Sequence, residues 1–173
     1  MLRLSNNYIN RSILSLRNGG VIGNAITPVI NPNNLKIEGW YSENAYEKGT
    51  YVLPTSEVRE SINKGLVVDD HEALTHPDDM IRLKDVISLE FELIGKTVVT
   101  ESKHKLGKIS DYAVEDSSYY IQKLYVDPPI VKSLTSEQKI IDRNQIVEIT
   151  DKKIIVRDLD IKVKANSPLR ASA

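Results

Sequence analysis

The chain contains no cysteine, which excludes disulfides, thiol catalysis and cysteine-ligated zinc, and fits a reducing compartment. It also lacks a surplus of either charge. With 23 Lys and Arg against 24 Asp and Glu, the formal net charge is -1. There is thus no global positive field to hold nucleic acid and no acidic bias toward cationic partners, although a local basic patch remains compatible with this balance. Apolar runs are short. None approaches the roughly 20 residues of a membrane span, and the opening "MLRLSNNYINRSILSL" has no continuous apolar core of the kind a secretory signal needs. The expected setting is soluble and cytoplasmic, without membrane insertion. Gly-x-Ser-x-Gly, Gly-x-Gly-x-x-Gly and phosphate-loop patterns are all missing. The serines fall in turns or polar positions, so we expect neither enzyme activity nor a cofactor.

What is present is an ordinary globular composition, 40% hydrophobic and 27% charged over 173 residues, enough for one medium or two small cores. Within it the apolar spacing of "VIGNAITPVINPNNLKIEGWY" (21–41) returns in "KLGKISDYAVEDSSYYIQKLY" (105–125). An offset of 84 lays Gly23 on Gly107, Ile37 on Ile121, Trp40 on Leu124 and Tyr41 on Tyr125. An offset of 88 lays Leu53 on Ile141, Val58 on Ile146, Leu66 on Ile154, Val68 on Val156 and Asp70 on Asp158. Upstream, "INRSILS" (9–15) lies over "IGKTVVT" (94–100). Three blocks recurring in one order indicate an internal duplication.

Each unit reads as short strands divided by turn chemistry. Asn18, Gly19 and Gly20 suit a tight hairpin, and "NPNN" at 31–34 is a second turn. In the second unit "TESKHKLG" and "VEDSS" stand at those places, and "QIVEITDKKIIVRD" gives two β-rich runs around a polar turn. The expectation is a mainly β fold of two tandem small barrels joined by a short α-helix. The first barrel spans 1–72, a linker with the helix 73–89, the second barrel 90–158 and a flexible tail 159–173. Pro77, Asp78 and Asp79 make a good helix start, and Met80, Leu83, Ile87 and Phe91 recur at nearly helical spacing.

The second unit resembles the PRC-barrel family, the small β-barrel of the photosynthetic reaction-centre H subunit and of the C-terminal part of the bacterial ribosome-maturation factor. The likeness rests on Leu93, Gly95, Lys96, Val98, Val99, Leu106, Gly107 and Lys108 in "LIGKTVVTESKHKLGKISDYAVE", and on the closing hairpin "IDRNQIVEITDKKIIV". The first unit departs from the pattern, with Asn10 and Arg11 where Gly95 and Lys96 stand. The resemblance implies a barrel used for interaction and assembly, without shared catalytic residues.

Residue by residue, the pattern agrees with a structural role. Gly23 and Gly107 allow a close backbone approach or an unusual conformation. Val98, Val99, Ile109, Ile121, Ile146, Ile149, Ile154 and Val156 supply branched side chains to fill a small barrel.

Four constellations could carry function. "DDHEALTHPDD" (69–79) places His71, His76 and Asp78 as candidate metal ligands; the histidines are five apart rather than the four that stacks ligands on a helix face, and a solvated acidic linker accounts for the same residues. The turn with Lys103, His104, Lys105 and Lys108 could touch phosphate, but Glu101 and Asp111 flank it. Trp40, Tyr41, Tyr119, Tyr120 and Tyr125 fall on equivalent strands and are candidate partner contacts, with core packing as the competing use. Ile130 joins them in "DPPIVKSL", where paired prolines hold an extended apolar loop. These features predict a non-enzymatic adaptor with a protein partner, able to form a homo-oligomer. A ribosome- or RNA-associated assembly factor is the alternative, and a metal- or small-ligand-binding regulator the third.

Overall fold

The structure, a computed structural model, describes residues 1–130 and 137–158. The segment after Ile130 and the expected tail from 159 lie outside the described residues. The chain is mainly β, in two sheets with very little helix. After β1 (Leu2–Leu4) come β2 (Arg11–Ser15), β3 (Val21–Asn31), β4 (Lys36–Asn44), β5 (Tyr51–Pro54), β6 (Glu60–Ile62) and β7 (Gly65–Val68). The second set is β8 (Thr97–Thr100), β9 (Lys105–Glu115), β10 (Ile121–Asp127), β11 (Lys139–Asp142), β12 (Ile146–Ile149) and β13 (Lys153–Val156). Strand order is β5-β4-β3-β2-β7-β6 in one sheet and β11-β10-β9-β8-β13-β12 in the other, with β1 added beside β9.

The two orders are the same order, and the repeat extends to register. Ile13 pairs with Gly23 and, in parallel, with Leu66; Val98 pairs with Gly107 and, in parallel, with Ile154. The irregularity between Ala25↔Ser42 and Thr27↔Tyr41 has its counterpart between Ile109↔Val126 and Asp111↔Tyr125. A bulge re-aims a strand by inserting one unpaired residue, so matching bulges mean matching curvature. The offsets read from the sequence are therefore the structural equivalences.

Glycine is required at one equivalent pair. A Cβ on Gly23 would run into the Glu43 carbonyl, and one on Gly107 into the Asp127 carbonyl, each well inside contact distance. Both glycines pass under the same point of the neighbouring strand. Asn10 and Gly95 also match: φ is 52° at Asn10 and 84° at Gly95. Asparagine is among the few side chains that tolerate this region, so the first unit keeps the conformation without the glycine.

The expected barrels are not closed by hydrogen bonds. Among the described residues β5 does not pair with β6, nor β11 with β12; a 3-10 turn joins each couple, Thr55–Glu57 in the first unit and Arg143–Gln145 in the second. Packing joins the ends instead. Ile13, Ile37, Trp40, Leu53 and Leu66 in the first unit, with Val98, Ile121, Leu124, Ile141 and Ile154 in the second, are fully or almost fully buried in one continuous cluster. Each such aliphatic side chain contributes about 1.5–3 kcal/mol relative to exposure. Val99, Ile146 and Ile149, expected in the core, are only partly buried.

Two local expectations are corrected. The helix expected from Pro77 is a 3-10 turn at Pro77–Asp79, followed by a five-residue α1 (Lys84–Ser88). Met80 leaves the helical region at ψ 82°, and Glu90 closes the segment with φ 44°. Met80, Leu83, Ile87 and Phe91 are only partly buried, so little packing supports a longer helix, and a helix this short is marginal alone. Residues Leu2–Leu4, in the span expected to form the first barrel, pair with β9 of the second sheet. No helix among the described residues is long and apolar enough to cross a membrane.

Candidate interaction surface at the seam between the two sheets

The two sheets meet through equivalent turns. Between β3 and β4, the Asn31 side chain accepts from the Asn33 amide at 3.0 Å and the Asn34 side chain from the Lys36 amide at 3.0 Å, the local bonding that makes asparagine a turn residue. The turn closes with the Leu35 amide donating to the Asn31 carbonyl at 2.8 Å, and the β9–β10 turn with the Tyr119 amide donating to the Glu115 carbonyl at 2.8 Å. Leu35 and Tyr119, equivalent residues, both have positive φ, 48° and 61°.

These turns bond each other reciprocally. The Ile37 amide donates to the Tyr119 carbonyl at 2.9 Å and the Ile121 amide to the Leu35 carbonyl at 2.8 Å, on either side of a bridge between Lys36 and Tyr120. Since Ile37 corresponds to Ile121 and Leu35 to Tyr119, this is an isologous contact, the pattern of a two-fold dimer interface, formed within one chain.

Behind the bridge the seam is aromatic. Tyr119 lies edge-on to Trp40, centroids 5.5 Å apart at 83°, and to Tyr8 at 6.4 Å and 79°. Trp40 donates its Nε1–H to the Tyr8 carbonyl at 2.8 Å, and the Tyr8 hydroxyl meets Asp116 at 3.1 Å. Arg3 Nε sits 3.0 Å from the other Asp116 oxygen, an ion pair without hydrogen-bond alignment. Burial first, then Asp116, pushes the Tyr8 hydroxyl well above the ordinary tyrosine value.

On the solvent side the Tyr120 ring stands between Lys36 Nζ, 5.9 Å from its centroid, and the Arg143 guanidinium at 4.8 Å. Arg143 reaches across the seam, donating to the Asn34 carbonyl at 2.5 Å and the Leu35 carbonyl at 3.5 Å, and within its own unit to Ile121 at 3.3 Å. Two open grooves meet at Arg143. One, of about 540 Å³, includes Leu2, Lys123 and Asp142; the other, about 330 Å³, includes Asn34, Val147 and Glu148. Lys123 is paired with Asp142 at 2.7 Å and Lys36 with Glu38 at 3.3 Å, so charge here is locally balanced. The arrangement can hold a partner by shape and mixed polar contacts.

The expected contact residues are distributed unevenly. Trp40, Tyr119 and Tyr120 converge at the seam, but Trp40 is completely buried, so its ring packs the core and is no surface anchor. Tyr41 and Tyr125 occupy equivalent places on the outward faces and are partly exposed; burial and Glu90 raise the Tyr41 pKa. Ile130 is 90% exposed, and Val131 lies outside the described residues. Sequence reasoning missed Tyr8, Leu35, Asp116 and Arg143. Only the alignment of Leu35 with Tyr119 could have hinted at the shared turn.

The other constellations stay apart from the seam. The His76 ring lies on Tyr51, centroids 4.4 Å apart, while His71 and Asp78 occupy separate 3-10 turns. Among the described residues no three His, Asp or Glu side chains converge to hold a metal. In the lysine turn the Ser102 hydroxyl bonds Asp158 at 2.6 Å and lies 2.8 Å from His104 Nδ1. With its proton directed at the carboxylate, the serine is not activated by the imidazole.

No family model matches the chain, and no curated protein matches it. Among solved structures it is similar to a putative 16S ribosomal RNA processing protein RimM from Pseudomonas aeruginosa, with 17% identity over 90% of this chain and 97% of that one, at a TM-score of 0.32.

Proposed function

We propose that the protein is a non-catalytic adaptor that docks on a protein assembly through the solvent side of the seam. The supporting observation is the reciprocal backbone bonding of the two units over one continuous core, which holds two related surfaces in fixed register. Such preorganisation lowers the ordering cost of binding. Tyr120 and Arg143 are the anchors, residue types that carry a large share of interface energy. The local pairing of Lys36 and Lys123 with carboxylates suits a protein surface better than a phosphate backbone. The alternative is a ribosome- or RNA-associated assembly factor.

The test is affinity purification of the tagged full chain from its own host, with and without nuclease and across a salt series, beside a Tyr120→Ala chain. Proteins that persist through nuclease and high salt, and are lost with Tyr120→Ala, support the adaptor. Ribosomal proteins that vanish with nuclease or salt replace it with the alternative.

A further inference from the structure

The two units differ in how their equivalent edges are covered. On β9 the edge carries β1, with Arg3 opposite Val114 and the Asp116 amide donating to the Met1 carbonyl at 3.0 Å. The matching stretch of β3 takes no such strand among the described residues, and at the place of Asp116 it has Pro32, which offers no amide. β5 and β11 make the second pair. The chain leaving β7 crosses to β5, where Thr75 and Val52 exchange both backbone hydrogen bonds, the Val52 amide donating at 2.8 Å and the Thr75 amide at 3.1 Å. Val52 is completely buried. Its equivalent, fixed by the pairing of Tyr41 with Val52 and Tyr125 with Ile140, is Ile140 on β11. β11 is an end strand, and Ile140 is 54% exposed. By the same register Ile140 turns its amide and carbonyl away from β10, where no partner meets them among the described residues. An exposed apolar residue on an open edge is a ready template for another strand.

We propose that β11 is the dimer edge of this protein, where two copies pair their β11 strands antiparallel about a two-fold axis through Ile140. In this register the strand is complementary to itself. Ile140, with both bonding groups turned outward, exchanges them with the partner's Ile140, as Val52 and Thr75 do within the chain. Directly opposed residues of an antiparallel pair share a face, so three rows cross the outer surface of the joined sheets. The middle row is apolar, the partly exposed Tyr125 and the exposed Ile140 meeting the partner's Ile140 and Tyr125. The row on either side sets Gln138 opposite the partner's Asp142. Gln138 Nε2 donates to Asp127 at 2.8 Å and, at a longer 3.3 Å, to the Ser110 hydroxyl. The Asp142 carboxylate holds Lys123 at 2.7 Å and has acceptor places beyond that one. The glutamine amide can therefore turn from Ser110 to the partner's carboxylate, and the axis makes this pair twice. No two like charges are directly opposed, a match that separates this edge from one guarded by repulsion. The inference does not depend on the adaptor reading, because the seam takes no part in it.

Sedimentation equilibrium of the full chain tests it over a concentration series reaching about 1 mM, the weak end of the affinity scale. The expected mass rises from 19.5 kDa toward twice that value. Ile140→Pro removes only an amide that no strand among the described residues bonds, a substitution an edge strand accepts. Ile140→Lys sets two ammonium groups against each other across the axis. Each should weaken the dimer at least about tenfold, the order of two lost backbone bonds, with circular dichroism unchanged. Ile81→Lys, at a 93% exposed apolar residue of the linker, and Tyr120→Ala at the seam should leave the dimer as in the wild type. If Ile140→Pro loses its fold, Ile140→Lys decides, because the side chain it replaces is already exposed. A wild-type chain that is monomeric at every concentration overturns the proposal, and so does a dimer that Ile140→Lys leaves intact. Slow amide exchange at Ile140 in the dilute monomer also overturns it, since the edge is then held by a segment of the same chain.

Discussion

Arg143 ties the second unit to a turn of the first through two backbone carbonyls, those of Asn34 and Leu35, and bonds a third, Ile121, in its own unit; its repeat equivalent is Thr55, which cannot make that reach. The strongest bond, to Asn34 at 2.5 Å, is charge-assisted, a class worth about 1.5–3 kcal/mol. The Tyr120 face adds about 0.5–1 kcal/mol at a partly exposed site. Arg143 is only partly buried, so water relieves some of the freed carbonyls. The expected cost of Arg143→Ala is therefore about 2 kcal/mol, or a fall of about 4–8 °C in Tm for a chain of this size. Arg143→Lys keeps the charge and loses the planar fork, and should recover less than half. Chemical denaturation of the three proteins measures this, and a double-mutant cycle with Tyr120→Leu isolates the ring contact. A loss below about 0.5 kcal/mol in Arg143→Ala, typical of an uninvolved surface residue, or full recovery by Lys, would refute the clasp.

Gly107→Ala forces a Cβ into the Asp127 carbonyl at φ 147° and is expected to cost about 3 kcal/mol, while Gly20→Ala, with nothing within 4 Å, stays within about 0.5 kcal/mol; equal Tm values for the two variants would contradict the close approach. Burial keeps the Tyr8 and Tyr112 hydroxyls neutral well above the ordinary tyrosine range. Their raised folded pKa values contribute stability that is present below about pH 10 and is lost as pH climbs through the folded values. Tyrosinate absorbance from these two should then rise only as ellipticity falls, and complete tyrosine titration before unfolding would show the burial to be wrong. The Ser102 hydroxyl is the largest of the influences holding the Asp158 carboxyl below the usual range, so this group's contribution is present above about pH 4 and fades as pH falls through the folded value. Ser102→Ala should raise the Asp158 pKa in a carboxyl-detected NMR titration, and an unmoved value rejects the bond.

The repeat was legible because a small sheet allows little freedom where strands cross closely. Gly23 and Gly107 must lack a Cβ, and the inward residues around them must be apolar at period 2, so both survive as a pattern despite few identities. Asn10 against Gly95 looked like a departure and is the same conformation, because a positive φ can be met by either residue. The seam was illegible for the opposite reason. Its key hydrogen bonds run between backbones, which place no demand on side-chain type, so Leu35 and Tyr119 share a role without sharing chemistry. The helix was overread because spacing at 80, 83, 87 and 91 reports which residues could share a face, and the surface beneath leaves those side chains only partly buried.

An isologous contact within one chain loses the constraint that a true dimer imposes. In a symmetric dimer each substitution appears twice, so a residue that helps on one side of the axis must be tolerated on the other. Within one chain the two halves can change separately, and three of the unlike pairs lie at the seam. Trp40 faces Leu124 in the alignment, Tyr8 faces Leu93 and Arg143 faces Thr55, so the first unit supplies the aromatic packing and the second supplies the cation that reaches across. The covered Val52 and the exposed Ile140 are unequal in the same way. Positions that stayed alike, the two glycines and the apolar residues around them, maintain the sheets. Positions that diverged set how the halves are held and which edge stays open, so the contacts specific to this protein are to be sought there before any residue the repeats have in common.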